Sequence, residues 1–419
     1  MAKTIGSLET ALEDFLNEHL AGLDTATRTA ALAEYVRGLG LEIGDTSMMA
    51  MARSISPENV EGCRQRMQRA VTAGRFDADE VFRRLQQTVA KSANRFRALC
   101  VDDTGIEKQG DQSVGVQRQY SGTLGKVGNC QVVTTLHAVS NTDSCALAAR
   151  LYLPESWTTD RKLRKAAKIP EHVEFLSKPK VALNLLEKAL EAGIPKRPLL
   201  ADAAFGDSRE FRDGVQALGI DYAVAISRNT VVWAPGVDPA VKRRTAKVGR
   251  PPTRYAGPKG ETPVSVDTIA NELMAQKRFR KVTWRQGSKE LLHSKFARVR
   301  VRSAERWTKG TLPSDELWLV IELNPQPKRP YKFYLSSLSE KTPMKVLVDL
   351  IKMRWRIEMD YRDLKQHLGF DEFEGRTWGG LHRHFAMVML MHCFIALFKE
   401  RFSPRSLQAL ELEPLLPGA

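Results

Sequence analysis

"KVALNLLEKALEAGIPKRPLLADAAFG", residues 180–206, reads as two elements in succession. In "KVALNLLEKALEAGI" apolar residues recur three and four apart, the spacing of one face of an α-helix. "RPLLADAAF" is a short apolar run that predicts a buried strand, with Asp202 at its end. Downstream, "SREFRDGVQALGI" returns to helical spacing and "DYAVAIS" is again a strand. Upstream, "RFRALCVDDT", "NCQVVTTLHAVS" and "CALAARLYLP" are rich in β-branched and apolar residues with Gly and Asn between them, which predicts three strands joined as antiparallel hairpins.

Three strands followed by helix, strand, helix and strand predict an α/β fold, a mixed sheet with helices on its faces in the order of an RNase H-like core. The expected organisation is an N-terminal all-helical domain at 1–95, the first part of the core at 96–228, a β-rich basic insertion at 229–310, the second part of the core at 311–400 and a tail at 401–419. Within the N-terminal region, 47–71 pairs two short helices across Ser-Pro in a helix-turn-helix-like arrangement. Its second helix carries Arg64, Arg66 and Arg69, a basic face that either meets DNA or is simply solvated. Beyond the insertion, "TPMKVLVDLIKMRWRIEMDYRDLKQHL" predicts one long helix.

The chain has 419 residues, 42% hydrophobic and 27% charged, which is globular composition with enough apolar residues for a core and argues against disorder. Its net charge is +15, and residues 228–310 hold 20 Lys and Arg against 6 Asp and Glu, so nearly all of the surplus lies there. That charge points to a polyanion, and phosphate contacts from such a segment release counterions and give strongly salt-dependent binding. A membrane fits less well, because the apolar run at 385–398 is shorter than the about 20 residues of a bilayer span, and His392 interrupts it. It reads as a core helix. The N-terminus is polar and acidic where a signal peptide would be apolar, so the expected location is the cytoplasm. The 5 cysteines are odd in number and widely spaced, which predicts reduced, buried thiols.

Three acidic positions stand out by location: Asp102 or Asp103 at the end of the first strand, Asp202 at the end of a buried strand, and Glu358 on the helix near Arg354 and Lys365. Each alone can be a turn former, a helix cap or half of an i,i+4 pair. Jointly, carboxylates at two strand ends and a helix suit hard, oxygen-preferring ions, two Mg2+ or Mn2+. Such a pair can hold a phosphodiester and activate water or a 3′-hydroxyl. On the helix, Arg354, Glu358, Tyr361 and Lys365 share a face.

The segments 102–132, 199–227, 283–304 and 354–376 resemble bacterial insertion-sequence transposases of the DDE class, most closely family 701 of the insertion sequences. The resemblance runs in order from 95 to 400. It implies Asp103, followed by threonine, as the first metal ligand, Asp202 as the second and Glu358 as the third; strand parity leaves Asp102 against Asp103 open. It places Arg354 and Lys365 on phosphates, while Ile351 stands where related transposases carry a phosphate-holding tyrosine. Trp284, beside Arg285 in the insertion's "TWRQG", corresponds to an aromatic that supports a displaced base in relatives forming hairpin ends; a core tryptophan is the alternative.

The activity so implied is binding of terminal inverted repeats in double-stranded DNA, Mg2+-dependent strand cleavage, and transfer of the 3′-hydroxyl to target DNA. The family adds a homodimer in the synaptic complex and a bacterial, nucleoid-associated location. The competing readings are a non-catalytic DNA-binding regulator derived from a transposase, and a structure-selective nuclease on the same fold.

Overall fold

The computed structural model describes residues 2–41, 47–122, 125–241, 254–287, 290–310, 312–324 and 330–399. The expected tail at 401–419 therefore lies outside the described residues, as does the basic stretch at 242–253. The chain forms two compact units, one made of Met1–Pro195 and Trp355–Ala419, the other of Lys196–Arg354.

The first unit begins with five helices: α1 (Ala2–Leu20), α2 (Ala26–Leu39), α3 (Met48–Ile55), α4 (Val60–Ala73) and α5 (Ala78–Lys91). Four strands follow, β1 (Ala98–Glu107), β2 (Gln117–Ser121), β3 (Lys126–Val139) and β4 (Ser144–Tyr152), then α6 (Glu155–Thr159), α7 (Arg161–Ala166) and α8 (Lys178–Glu191). The second unit contains β5 (Leu199–Ala201), α9 (Ala203–Gly206), α10 (Arg209–Ala217), β6 (Tyr222–Ile226), β7 (Val231–Trp233), β8 (Ala240–Val241), β9 (Tyr255–Ala256) and β10 (Val264–Ser265). It continues with α11 (Val266–Ala275), β11 (Arg280–Gln286), β12 (Leu291–Ser303), β13 (Glu316–Leu323), β14 (Tyr331–Ser336) and α12 (Met344–Met353). The chain then returns to the first unit with α13 (Trp355–Gln366) and α14 (Trp378–Phe398).

In the first unit β3 is central and antiparallel to all its neighbours, with β1 on one edge and β4 and β2 in succession along the other. The three expected strands are β1, β3 and β4. The hairpin strand β2, "QRQYS", lacks the apolar signal and was not foreseen. In the second unit β5 and β6 are parallel, linked through α9 and α10, and β14, β13, β12 and β7 extend the sheet antiparallel from β6. The architecture is mixed α/β, compatible with an RNase H-like core.

Packing explains why the N-terminal helices and the last helix belong to one unit. Helix α14 is apolar nearly all round, and a helix of that kind must be covered on every side. It is long and apolar enough to cross a bilayer, yet 83% of its apolar window is buried. Helices α2, α4 and α5 and strand β4 pack against it, so the N-terminal helices share one core with the first strands. On α5 the buried residues Val81, Phe82, Leu85 and Val89 form a single stripe, and Asp77 caps the helix by accepting from the Asp79 N–H. Each fully buried Leu, Phe or Met in such a core contributes about 1.5–3 kcal/mol.

Two expectations are corrected here. Cys145 on β4 and Cys393 on α14 form a disulfide, while Cys63, Cys100 and Cys130 are free and buried. The pair lies 248 residues apart in sequence, so only the docking of α14 on β4 reveals it. The long helix expected over 342–368 is two helices, broken at Arg354, and its halves α12 and α13 belong to different units.

Candidate active site

The register of β1 on β3 decides where its two aspartates point. Residues directly opposite in an antiparallel ladder project from the same face. Asp103 lies opposite Thr134 and Asp102 opposite Thr135. The Thr134 hydroxyl donates to Asp103 Oδ1 at 2.6 Å, and Lys178, in the first turn of α8, places its ammonium 3.0 Å from Asp103 Oδ2. Asp103 therefore faces α8, its charge answered by a lysine.

Asp102 takes the opposite face, against which α13 packs. Its Oδ1 accepts from the Asp103 N–H at 2.8 Å. On the same face Thr135 bonds the Tyr361 hydroxyl of α13 at 2.6 Å. Burial, then the charges of Asp102 and Asp103, push the Tyr361 phenol well above its ordinary range, so it stays neutral. Glu358 is exposed in the first turn of α13, one turn before Tyr361. Lys365, expected to meet phosphate, is half-buried and donates to the Gly105 carbonyl of β1 at 2.6 Å. Burial draws its pKa down and Asp371 opposes that shift. Lys365 thus ties the C-terminal end of α13 to β1.

Beside Thr135 lies a buried polar cluster that the sequence reading missed. His137 Nε2 is 3.0 Å from Thr135 Oγ1, and His137 Nδ1 is 2.6 Å from Asp360 Oδ2. The Ser144 hydroxyl donates to Asp360 Oδ1, and His392 Nε2 lies 3.8 Å from the same oxygen. Burial alone would raise the Asp360 carboxyl, but the His137 bond, the His392 and His137 charges and the Ser144 bond outweigh it and hold it below the usual range. The signal was present as "TTLH", polar residues in the middle of an otherwise apolar strand.

In the second unit Asp202 follows β5 directly and caps α9, its Oδ1 accepting from the Ala204 N–H at 2.9 Å and the Phe205 N–H at 3.4 Å. Gly206 ends that turn, where a Cβ would lie 1.8 Å from the Ala225 carbonyl oxygen, so only glycine lets α9 approach β6 this closely. Arg354, also in this unit, is the residue at which α12 ends. Ile351, on α12, is buried.

Trp284 sits in a bulge of β11 between Thr283 and Arg285. Its ring meets Phe296 edge-on at 6.1 Å, and the Lys352 ammonium, paired with Glu322 at 2.5 Å, stands 4.7 Å from its centre. The ring is half-buried with a cation over one face, as is fitting for a packed residue; Arg285 beside it is half-buried too. On α4, Arg64 pairs with Glu61 at 2.6 Å and Arg66 with Glu34 at 3.3 Å. Helices α3 and α4 do flank Ser56-Pro57 as expected, and Ser47 and Asn59 cap them.

The donor chemistry of Asp102, Asp202 and Glu358 is all carboxylate, which matches Mg2+ or Mn2+ in type. Among the described residues no three His, Cys, Asp or Glu side chains are grouped to hold an ion. Asp102 and Glu358 fall in one unit and Asp202 in the other.

Residues 18–291 match the family described as DDE superfamily endonuclease, and the chain belongs to that family. The match includes both β1 aspartates and Asp202 and ends before α13. The chain is also similar to a protein of Microchaete diplosiphon named probable transposase for insertion sequence element IS701, with 31% identity over 135 residues, 32% of this chain and 33% of that protein. The aligned region thus spans about a third of the curated relative.

Proposed function

We propose that the chain is a transposase of an insertion sequence that binds the terminal inverted repeats of its element, cleaves strands at those ends and transfers them to target DNA. The reading rests on family membership and on one observation: α13 carries the exposed Glu358 on the sheet face that also carries Asp102. We take Asp102, Asp202 and Glu358 as the metal ligands. Asp102 replaces the expected Asp103 because Asp103 faces α8 and already answers the Lys178 ammonium, a competitor for any cation. Two divalent ions, when bound, would activate water or a 3′-hydroxyl and stabilise the leaving oxygen.

The chain's own groups supply placement. Asp202, fixed as a cap on α9, holds its second oxygen in a defined direction, and Lys365 and Tyr361 hold α13 on the strands. Arg354 is kept as a phosphate contact, and Arg64, Arg66 and the basic segment of the second unit as contacts along the duplex. Synapsis of two ends calls for two protomers. The test is divalent-ion-dependent cleavage of a duplex carrying the element's ends. Wild type should cut and Glu358→Gln should bind the ends without cutting; cleavage retained by Glu358→Gln removes Glu358 from the mechanism. Binding without cutting by wild type favours a regulator, and cutting without end preference favours a general nuclease.

A further inference from the structure

We infer that Tyr361 is a positioning residue for the carboxylates of the first unit, acting through Thr135 and His137; the inference rests on the metal-dependent reading above. The hydrogen bonds form one continuous chain from Tyr361 Oη to Thr135 Oγ1, from Thr135 Oγ1 to His137 Nε2, and from His137 Nδ1 to Asp360 Oδ2. The first and last members are consecutive residues of α13, and the middle two stand on β3. A helix pinned at two adjacent positions, whose side chains diverge by about 100°, is fixed both in height and in rotation about its axis.

What those pins fix is the relation between two carboxylates. Thr135 is the direct cross-strand partner of Asp102, and Glu358 lies three residues before Tyr361 on the same helix face. The Tyr361 ring stands edge-on to His137 at 5.8 Å, and its hydroxyl meets Thr135 Oγ1. Because the phenol stays neutral, Tyr361 adds no charge to the site. Its contribution is to hold Glu358 at a set distance from Asp102, as hydrogen bonds behind the ligands do in metal sites generally.

The test uses the full chain with Tyr361→Phe, which keeps the ring and removes the hydroxyl, and Thr135→Val, which keeps the shape and breaks the chain of bonds one link further on. Mn2+ uptake is followed by electron paramagnetic resonance, with thermal melting and end-duplex binding measured on the same samples. In each variant the Mn2+ concentration for half-saturation should rise about tenfold. The double variant should be no worse than the singles, since both remove one path. Cleavage at limiting Mn2+ should fall in step and recover in excess Mn2+, with end binding unchanged. Wild-type half-saturation in Tyr361→Phe or Thr135→Val overturns the inference while leaving the metal reading intact. Absence of Mn2+ uptake by wild type overturns both.

Discussion

Exchanging each β1 aspartate for asparagine in turn separates the two candidate ligands, because they project from opposite faces of the strand and only Asp103 meets Lys178. Asp103→Asn removes the negative charge beside Lys178 and weakens the bond from Thr134. A charge-assisted hydrogen bond contributes about 1.5–3 kcal/mol, and the partial exposure of Lys178 discounts this to about 1–2 kcal/mol. The expected result is a fall of roughly 2–5 °C in melting temperature with cleavage retained. In Asp102→Asn the side chain still accepts from the Asp103 N–H, so the melting temperature should hold. Cleavage should fall by about 10³-fold, equivalent to about 4 kcal/mol in the barrier. The assay is nicking of an end-bearing duplex in Mg2+ alongside a thermal melt. Loss of cleavage in Asp103→Asn at unchanged stability, with activity kept in Asp102→Asn, would refute the reasoning from strand faces.

Two further outcomes follow from the core. Burial pushes His382 and His384 down to about 4, against partial relief from the Trp378 and Phe370 carbonyls. Unfolded, each titrates near 6.5, so the unfolded chain binds more protons between these values. The stability they confer is complete above about pH 6.5 and is lost as pH falls through about 4, by roughly 3 kcal/mol for each. Denaturant unfolding at pH 7, 5.5 and 4.5 should show that decline, and a flat profile would contradict the buried neutral state. Thiol titration of the denatured, unreduced protein should find the 3 free cysteines, Cys63, Cys100 and Cys130, and reduction should release the Cys145–Cys393 pair. Five thiols before reduction would contradict that bond.

The strands and helices most legible in the sequence were those whose apolar spacing is set by burial, such as β5, α8 and α14. Their periodicity is a direct record of which face meets the core. The choice between Asp102 and Asp103 was not legible, because both faces of β1 are covered and alternation therefore carries no sign of direction. Register against β3 shows only which face each side chain takes. The division into units was hidden for a related reason: α14 lies more than 280 residues beyond α5, yet the two share a core, and no local pattern reports that contact. The break at Arg354 carries neither proline nor glycine to announce it. Lys365 was placed on phosphate by the family resemblance, and the carbonyl it also meets becomes visible only once α13 lies on β1.

The central claim is that Asp102, and not Asp103, is the β1 aspartate that serves the divalent ions together with Glu358 of α13. Anomalous scattering from crystals of the full chain grown with Mn2+ and a duplex bearing the element's ends tests it most directly. The account predicts manganese within about 2.2 Å of oxygens of Asp102 and Glu358, with Asp103 still on Lys178. Manganese bound elsewhere, or on Asp103 with Asp102 turned away, would contradict it.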